Sequence, residues 1–263
     1  MKNILVLIFI VLALNSYSQD KCGNVKYEYK LPSERLTIKE ATLFFNDSIS
    51  KFVFDKMDNK QNSESKVNSD GNSINLNFSS TDEQGSIVLR NFNSEKILVR
   101  KSRTDKLFES YKYEDTWLKI DWKIQEDTIT IGNFKCKKAI GNFRGRTYIA
   151  WFTEEIPLPY GPWKLYGLPG LILQAEDTEK MFKATFQSVS YPTKCENSDL
   201  QEPTAVEVKT LKEYVEFRDN YQDNVFKKMQ SRLPRHLANS MQQGTKPNSE
   251  RKYRDEKLFE WEN

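Results

Sequence analysis

Histidine is almost missing from this chain: His236 is the sole one among 263 residues. A Ser-His-Asp triad needs an imidazole held rigidly by a third group, and nothing around His236, just past Pro234, offers that. Zinc sites want several His or Cys ligands, and one histidine with three scattered cysteines makes no such set. No phosphate-binding glycine loop is present. Neither sign of charge dominates. The 40 basic and 37 acidic residues are interspersed, which argues against the concentrated basic face that nucleic acid binding needs. After the first residues, no apolar run is long enough to cross a bilayer, which takes about 20 residues.

What is present begins with the N-terminus. Lys2, an unbroken apolar run from Ile4 to Leu14 and small residues around Ser16 and Ser18 read as a secretory signal peptide over residues 1–18. Gln19, Asp20 and Lys21 precede Cys22 where a lipidated cysteine would want small residues, which argues against a lipid anchor. Three cysteines in an exported chain suggest one disulfide and one leftover thiol. Cys136 and Cys195 are the candidate pair, and pairing of Cys22 with either stays open. A redox role lacks a Cys-x-x-Cys spacing.

From residue 19 to 233 the pattern predicts a single β-rich domain. Val25, Tyr27, Tyr29 and Leu31 alternate with polar residues, as do Ala41, Leu43 and Phe45. Ile49 to Phe54 makes a further strand, and Ile74, Leu76 and Phe78 with Ile87 and Leu89 suggest a hairpin. Ile97 and Val99 continue the meander. Leu118, Ile120, Trp122 and Ile124 read as another strand, then Phe134 to Ile140, and Phe182 to Ser188 late in the chain. Arg144-Gly145 is the predicted hairpin turn. The period then changes: apolar residues between 206 and 233 recur at three and four, which predicts one amphipathic helix closed by Pro234. Residues 234–263 read as a polar, disordered tail, in which Leu258, Phe259 and Trp261 are the residues suited to dock back on the body.

The densest patch of aromatics, prolines and glycines runs from Ala150 to Asp177. Pro157 and Pro159 stop a strand because proline cannot donate to the ladder, and Gly161-Pro162 marks another bend. Leu168-Pro169-Gly170-Leu171 suits a type II turn with Gly170 supplying the positive φ. The prediction is strand, long ordered loop, tight turn, strand. Asp177 suits a turn as an acceptor of backbone N–H groups. Arg146 is placed either to pair with a buried acid or to point outward.

Gly167-Leu168-Pro169-Gly170-Leu171-Ile172 resembles the hexapeptide for which the GLPGLI family is named. The likeness extends upstream through Ile131-Gly132-Asn133-Phe134-Lys135-Cys136-Lys137-Lys138-Ala139, the Gly145-Arg146 pair, Trp151-Phe152-Thr153, Ile156-Pro157 and Gly161-Pro162, in the family's order. The resemblance implies an exported protein, mainly of the Bacteroidetes group, with no established activity and no catalytic residues to carry over.

The strand count and the late helix predict a mainly β protein: a strongly curved antiparallel sheet or half-open barrel, with one C-terminal amphipathic helix and the central loop on its concave side. By analogy of fold alone it resembles the periplasmic lipoprotein carriers. The leading expectation is an exported, non-enzymatic binding or scaffold protein, periplasmic or secreted, without a cofactor. Trp151, Phe152, Tyr160, Trp163 and Tyr166 are the candidate ligand-binding rings, for an envelope protein, a peptide or an apolar ligand. The favoured reading of the same rings is structural, as the core plug beneath the proline-rich loop, and the two readings coexist if the loop forms one wall of a cleft. The alternatives are a hydrolase using acidic residues near the loop, with Glu154 and Glu155 as its carboxylates, and a structural component of an envelope complex.

Overall fold

The computed structural model describes residues 21–30, 39–56, 66–67, 74–75, 82–102, 108–196, 199–231, 235–240, 251, 254 and 256–262. The proposed signal segment lies outside them. The strands are β1 (Cys22–Lys30), β2 (Lys39–Phe45), β3 (Ile49–Phe54), β4 (Lys66–Val67), β5 (Ile74–Asn75), β6 (Ser86–Asn91) and β7 (Lys96–Lys101). They continue with β8 (Tyr111–Asp115), β9 (Lys123–Ile131), β10 (Phe134–Phe143), β11 (Arg146–Thr153), β12 (Leu171–Asp177), β13 (Lys183–Thr193) and β14 (Glu207–Lys209). Three helices follow: α1 (Leu211–Asp219), α2 (Tyr221–Gln230) and α3 (Arg235–Ser240).

Twelve strands form one sheet in the order β14, β8, β7, β6, β3, β2, β1, β13, β12, β11, β10, β9. Every pair is antiparallel except β14 beside β8. Period-2 alternation builds the strands as the sequence predicts. In β1, Val25, Tyr27 and Tyr29 are buried while Lys26 and Glu28 turn away. The chain makes a first meander up to β8, crosses to the far edge, and makes a second meander back from β9 to β13, which pairs with β1. The sheet stays open at β14 and β9 but curls strongly. Arg144, in the turn after β10, bonds Asp115 at the end of β8, although these strands stand near opposite edges.

That turn is as predicted: Phe143 pairs with Arg146, and Arg144 and Gly145 both have positive φ, 42° and 80°. This is the twist a two-residue hairpin needs.

Several expectations are corrected. β5 pairs with β4 in a separate two-stranded sheet, and β6 lies between β3 and β7, so Ile74 and Ile87 do not share a hairpin. Residues 76–81 lie outside the described part. Leu118 to Trp122 is not a strand. The segment crosses over β10, where Ile120 and Trp122 rest against Gly141, and Trp122 Nε1 donates to the Tyr166 carbonyl at 2.8 Å. Its alternation reports packing between layers, not membership of a ladder.

The single helix expected over 206–233 is broken. β14 takes the first residues, Thr210 caps α1 with Glu213 in a reciprocal capping box, and Asn220 (φ −99°, ψ 15°) separates α1 from α2. In the tail, α3 forms, Glu256 and Phe259 are buried, and Lys257 N donates to the Arg144 carbonyl. Of the three residues suited to dock back, Phe259 is buried while Leu258 and Trp261 stay 47% and 41% exposed.

The disulfide joins Cys22 to Cys195, and Cys136 is the free, buried thiol. The candidate pair Cys136–Cys195 is not formed: β1 and β13 are neighbours in the sheet, with Cys22 opposite Thr193, whereas Cys136 is a buried residue of β10, paired with Ile129 of β9. Burial pushes its thiol up to about 11, against an opposing hydrogen bond from the Ile131 backbone. Native protein at pH 8 is therefore expected to resist alkylation, and protein denatured without reductant to show one reactive thiol per chain. The label is expected on Cys136; a label on Cys22 or Cys195 instead, or three labels, would contradict the pairing.

Candidate functional site

The loop between β11 and β12 lies across the concave face and is bonded to itself. Leu158 N donates to Ile156 O at 2.8 Å, Gly167 N to Pro159 O at 3.0 Å, and Ile172 N to Tyr160 O at 2.9 Å. Its prolines leave few backbone donors to satisfy, and these bonds satisfy them within the loop.

Gly170 does not take the positive φ of a type II turn; Gly167 does, at 93°. Gly170 is needed for space instead. A Cβ there would stand 2.1 Å from the Thr153 carbonyl oxygen, because the loop's exit presses directly on its entry strand.

The candidate rings are mostly enclosed. Phe152 and Trp163 are 0% exposed, Tyr160 1% and Tyr166 6%; Trp151 alone is half-buried, near Lys138. Tyr160 contacts Phe45 and Phe92, and Trp163 contacts Phe143, Tyr148 and Phe182. Through these contacts Tyr160 packs on the first half of the sheet and Trp163 on the second. Of the acids beside the loop, Glu154 pairs with Lys137 at 2.9 Å and Glu155 accepts from Lys135 N at 2.9 Å, so both are turned to β10.

Two buried charge clusters hold the loop and the strand that enters it. In the first, Lys164 Nζ lies 2.5 Å from Asp115 Oδ2 and 2.6 Å from Glu256 Oε1. Arg144 binds Asp115 at 2.6 Å, Glu260 at 2.9 Å and Glu256. Burial pushes the Asp115 carboxyl up, but Lys164 and Arg144 outweigh it and hold it down at about 2. Arg90, 1% exposed, donates from Nη1 to the Trp163 carbonyl at 3.0 Å and stacks 4.7 Å from the Tyr166 ring centre. Burial lowers its guanidinium to about 10, against the opposing pull of Tyr166 and Asp115.

In the second cluster, Arg146 and Asp177 pair at 2.5 Å, 0% and 1% exposed. Asp177 Oδ1 also accepts from Met181 N at 2.7 Å and Phe182 N at 2.8 Å. Arg146 thus faces a buried acid, and Asp177 organises the turn into β13.

Sequence reasoning missed Asp115, Lys164, Glu256 and Arg90, which lie in four distant segments. The one available signal was a lysine flanked by Trp163 and Leu165 inside an apolar run. Of the residues singled out beforehand, Pro157, Gly161, Pro162, Gly167, Leu168, Pro169 and Gly170 all belong to this loop.

Ion pairs also secure the C-terminal segment: Arg251 to Asp219 (2.5 Å) and Glu262 (2.6 Å), Arg254 to Asp219, and Lys257 to Glu179. For Asp219, burial raises the carboxyl but Arg251 and Arg254 outweigh it. Glu262 is lowered by Arg251 and Glu179 by Lys257. Groups with depressed folded pKa values stabilise above their unfolded values, near 4, and lose that contribution as pH falls below them. The pairs are partly exposed, so each contributes at most about 1 kcal/mol. The segment is expected to loosen below about pH 4 ahead of the sheet, seen as faster hydrogen exchange at the Phe259 amide. Exchange rising only with global unfolding would refute this.

An open groove of about 560 Å³ lies beyond the loop, bordered by Lys96, Leu98, Lys112, Glu114, Val208 and Leu211. Val208 on the edge strand β14 is 74% exposed and Val206 beside it 70%. Among the described residues no helix is long and apolar enough to cross a membrane, and no acid, His or Cys cluster could hold a metal ion.

A family described as "Protein of unknown function (Porph_ging)" matches residues 143–174, from the β10–β11 turn through the loop into β12. No curated protein matches the chain. A solved structure of PNGF-II in space group P21 superposes with a TM-score of 0.50 at 15% identity, and one in C2 does so at 16%. Each superposition covers 74% of this chain and 32% of the other, so the chain spans about a third of their length. This likeness is one of fold alone. The LolA superfamily protein NE2245 from Nitrosomonas europaea overlaps more loosely, with a TM-score of 0.28 at 10% identity, over 71% of this chain and 92% of that one.

Proposed function

We propose that this chain is an exported, non-enzymatic binding or scaffold protein of the GLPGLI type, in which the loop is a permanent brace and the partner binds outside it. One observation carries the reading: Trp163 and Lys164, at the loop's centre, are 0% and 2% exposed, so the loop fills the concavity that a carrier would leave for its ligand. A buried, ion-paired lysine does not swing aside cheaply, since breaking such a pair costs about 3–5 kcal/mol.

The binding surface is then the groove at the β14 edge. Its volume is within the usual range for ligand sites, roughly 300–1,000 Å³, and its mixture of Leu98 and Val208 with Lys96, Lys112 and Glu114 suits a polypeptide partner with both apolar and charged side chains. Export is supported by the N-terminal apolar run and by the Cys22–Cys195 disulfide.

The test is capture of partners from the native envelope by tagged mature protein, with mass spectrometry of proteins and small molecules. Wild type is expected to retain a partner that Val208→Asp loses. Equal capture by both proteins would remove the groove from the reading. Turnover of an envelope polymer would overturn the non-enzymatic assignment.

A further inference from the structure

The cluster around Lys164 brings together an amine, two carboxyls and a guanidinium where water is excluded. Lys164, Asp115, Glu256 and Arg144 side chains are each 1–2% exposed. The rings of Tyr113 and Trp163 stand 5.7 and 5.6 Å from Lys164 Nζ, and Phe259 lies 4.8 Å below the Arg144 guanidinium. Arg144 grips both oxygens of Asp115, with Nη2 at 2.6 Å from Oδ1 and Nη1 at 3.2 Å from Oδ2. Lys164 Nζ approaches Oδ2, at 2.5 Å. Glu256 touches Nζ through Oε1, while its buried Oε2 has no hydrogen-bond partner.

As an ion pair this arrangement is barely favourable: removing two charges from water costs about as much as their attraction returns. It also leaves Oε2 unsatisfied, which is costly for a buried acceptor. As a reaction site every group has a use. A desolvated lysine amine is a nucleophile. The Asp115 carboxyl carbon lies directly behind the oxygen that Nζ contacts. A guanidinium on Oδ1 stabilises the oxyanion that forms when the carbon is attacked. A second carboxyl with a free oxygen can carry protons between amine and leaving oxygen.

We propose that Lys164 and Asp115 condense into an intramolecular isopeptide bond that ties the central loop covalently to β8. The Lys164 ammonium passes a proton to Glu256, and the neutral amine attacks Cγ of Asp115. The Nζ–Cγ bond forms and negative charge gathers on Oδ1 beside Arg144. The Cγ–Oδ2 bond then breaks. Of the three ammonium protons, two leave with Oδ2 as water by way of Glu256, and one stays on the amide nitrogen. An ammonium and a carboxylate become an amide and one water, with no oxidant and no change in net charge. Glu256 is regenerated and remains paired with Arg144. Asp115 is ionised in the unlinked state, so the step is slow and completes after folding has assembled the four groups. Trp163 and Phe259 shield the product from hydrolysis.

The full exported chain is purified, its disulfide reduced, and its intact mass measured in denaturant. The expected mass is one water, about 18 Da, below that of the mature sequence whose N-terminus is read on the same sample, and peptide fragmentation is expected to place the link between Lys164 and Asp115. Lys164→Arg keeps the cation but cannot form the amide, and should show the full mass; Glu256→Gln removes the proton carrier and should do the same. Full mass in wild type after prolonged incubation overturns the proposal. So does a deficit that persists in Lys164→Arg, or a link found at Glu256. A link that still forms in Glu256→Gln overturns the role given to Glu256. Because the wild-type mass decides the main point, a variant that fails to fold leaves the test intact.

Discussion

Asp177→Ala is expected to destabilise the protein by about 4 kcal/mol, in the range for removing one partner of a buried pair, and to lower the midpoint of thermal unfolding by roughly 10 °C for a chain of this size. The change strands Arg146, 0% exposed, beside a partly exposed Glu179 and the Arg254 carbonyl. It also orphans the Met181 and Phe182 amides. Two losses thus add: a buried cation left with only the exposed Glu179 as its acid, and a turn without its acceptor. Replacing both partners together, Arg146→Met with Asp177→Leu, should recover part of the loss, since matched apolar side chains often replace a buried pair without penalty. The unpaired turn amides keep that recovery incomplete. Thermal and urea melts followed by circular dichroism decide it. A loss below about 1 kcal/mol would place this pair among surface bridges and remove Asp177 as the organiser of the turn.

Gly170→Ala is expected to cost about 3 kcal/mol or more, the upper range for overpacking. The added Cβ would overlap the Thr153 carbonyl oxygen and lie 2.7 Å from its carbon. Both atoms belong to the backbone of β11, so no side chain can move aside. Gly167→Ala is the informative comparison. Its φ of 93° disfavours any side chain, yet its nearest neighbour would be 4.0 Å away, so it pays only backbone strain, of order 1–3 kcal/mol. The order expected in urea melts is Gly170→Ala worse than Gly167→Ala. A reversed order would mean that backbone conformation, not close approach, is what the hexapeptide protects.

How much of this was legible beforehand varied with the distance between the residues involved. The alternation of Val25, Tyr27 and Tyr29, and of Leu43 and Phe45, announced buried faces because one strand carries its own pattern. Arg144-Gly145 announced a hairpin because two adjacent residues decide it. The 118–122 part of the alternation misled, since a segment lying against the sheet can turn Ile120 inward just as a strand does. Gly170 was placed in the right loop for the wrong reason: its role depends on where Thr153 ends up, and sequence does not report that distance. Trp163, Tyr160 and Tyr166 were readable as ligand rings or as core, and the fold buries all three.

By itself the sequence determined a mainly antiparallel β body and an ordered, proline-stiffened loop between two neighbouring strands, because strand period, proline and turn chemistry act over a few residues. Tertiary structure alone decided that Cys22 meets Cys195, that the tail returns Glu256 and Phe259 to the core, and that Lys164 stands between two acids from β8 and the C-terminus. The first follows from β13 returning to pair with β1, and the others from how far a twelve-stranded sheet curls. That curl is summed over every strand pair and written in no single stretch of chain.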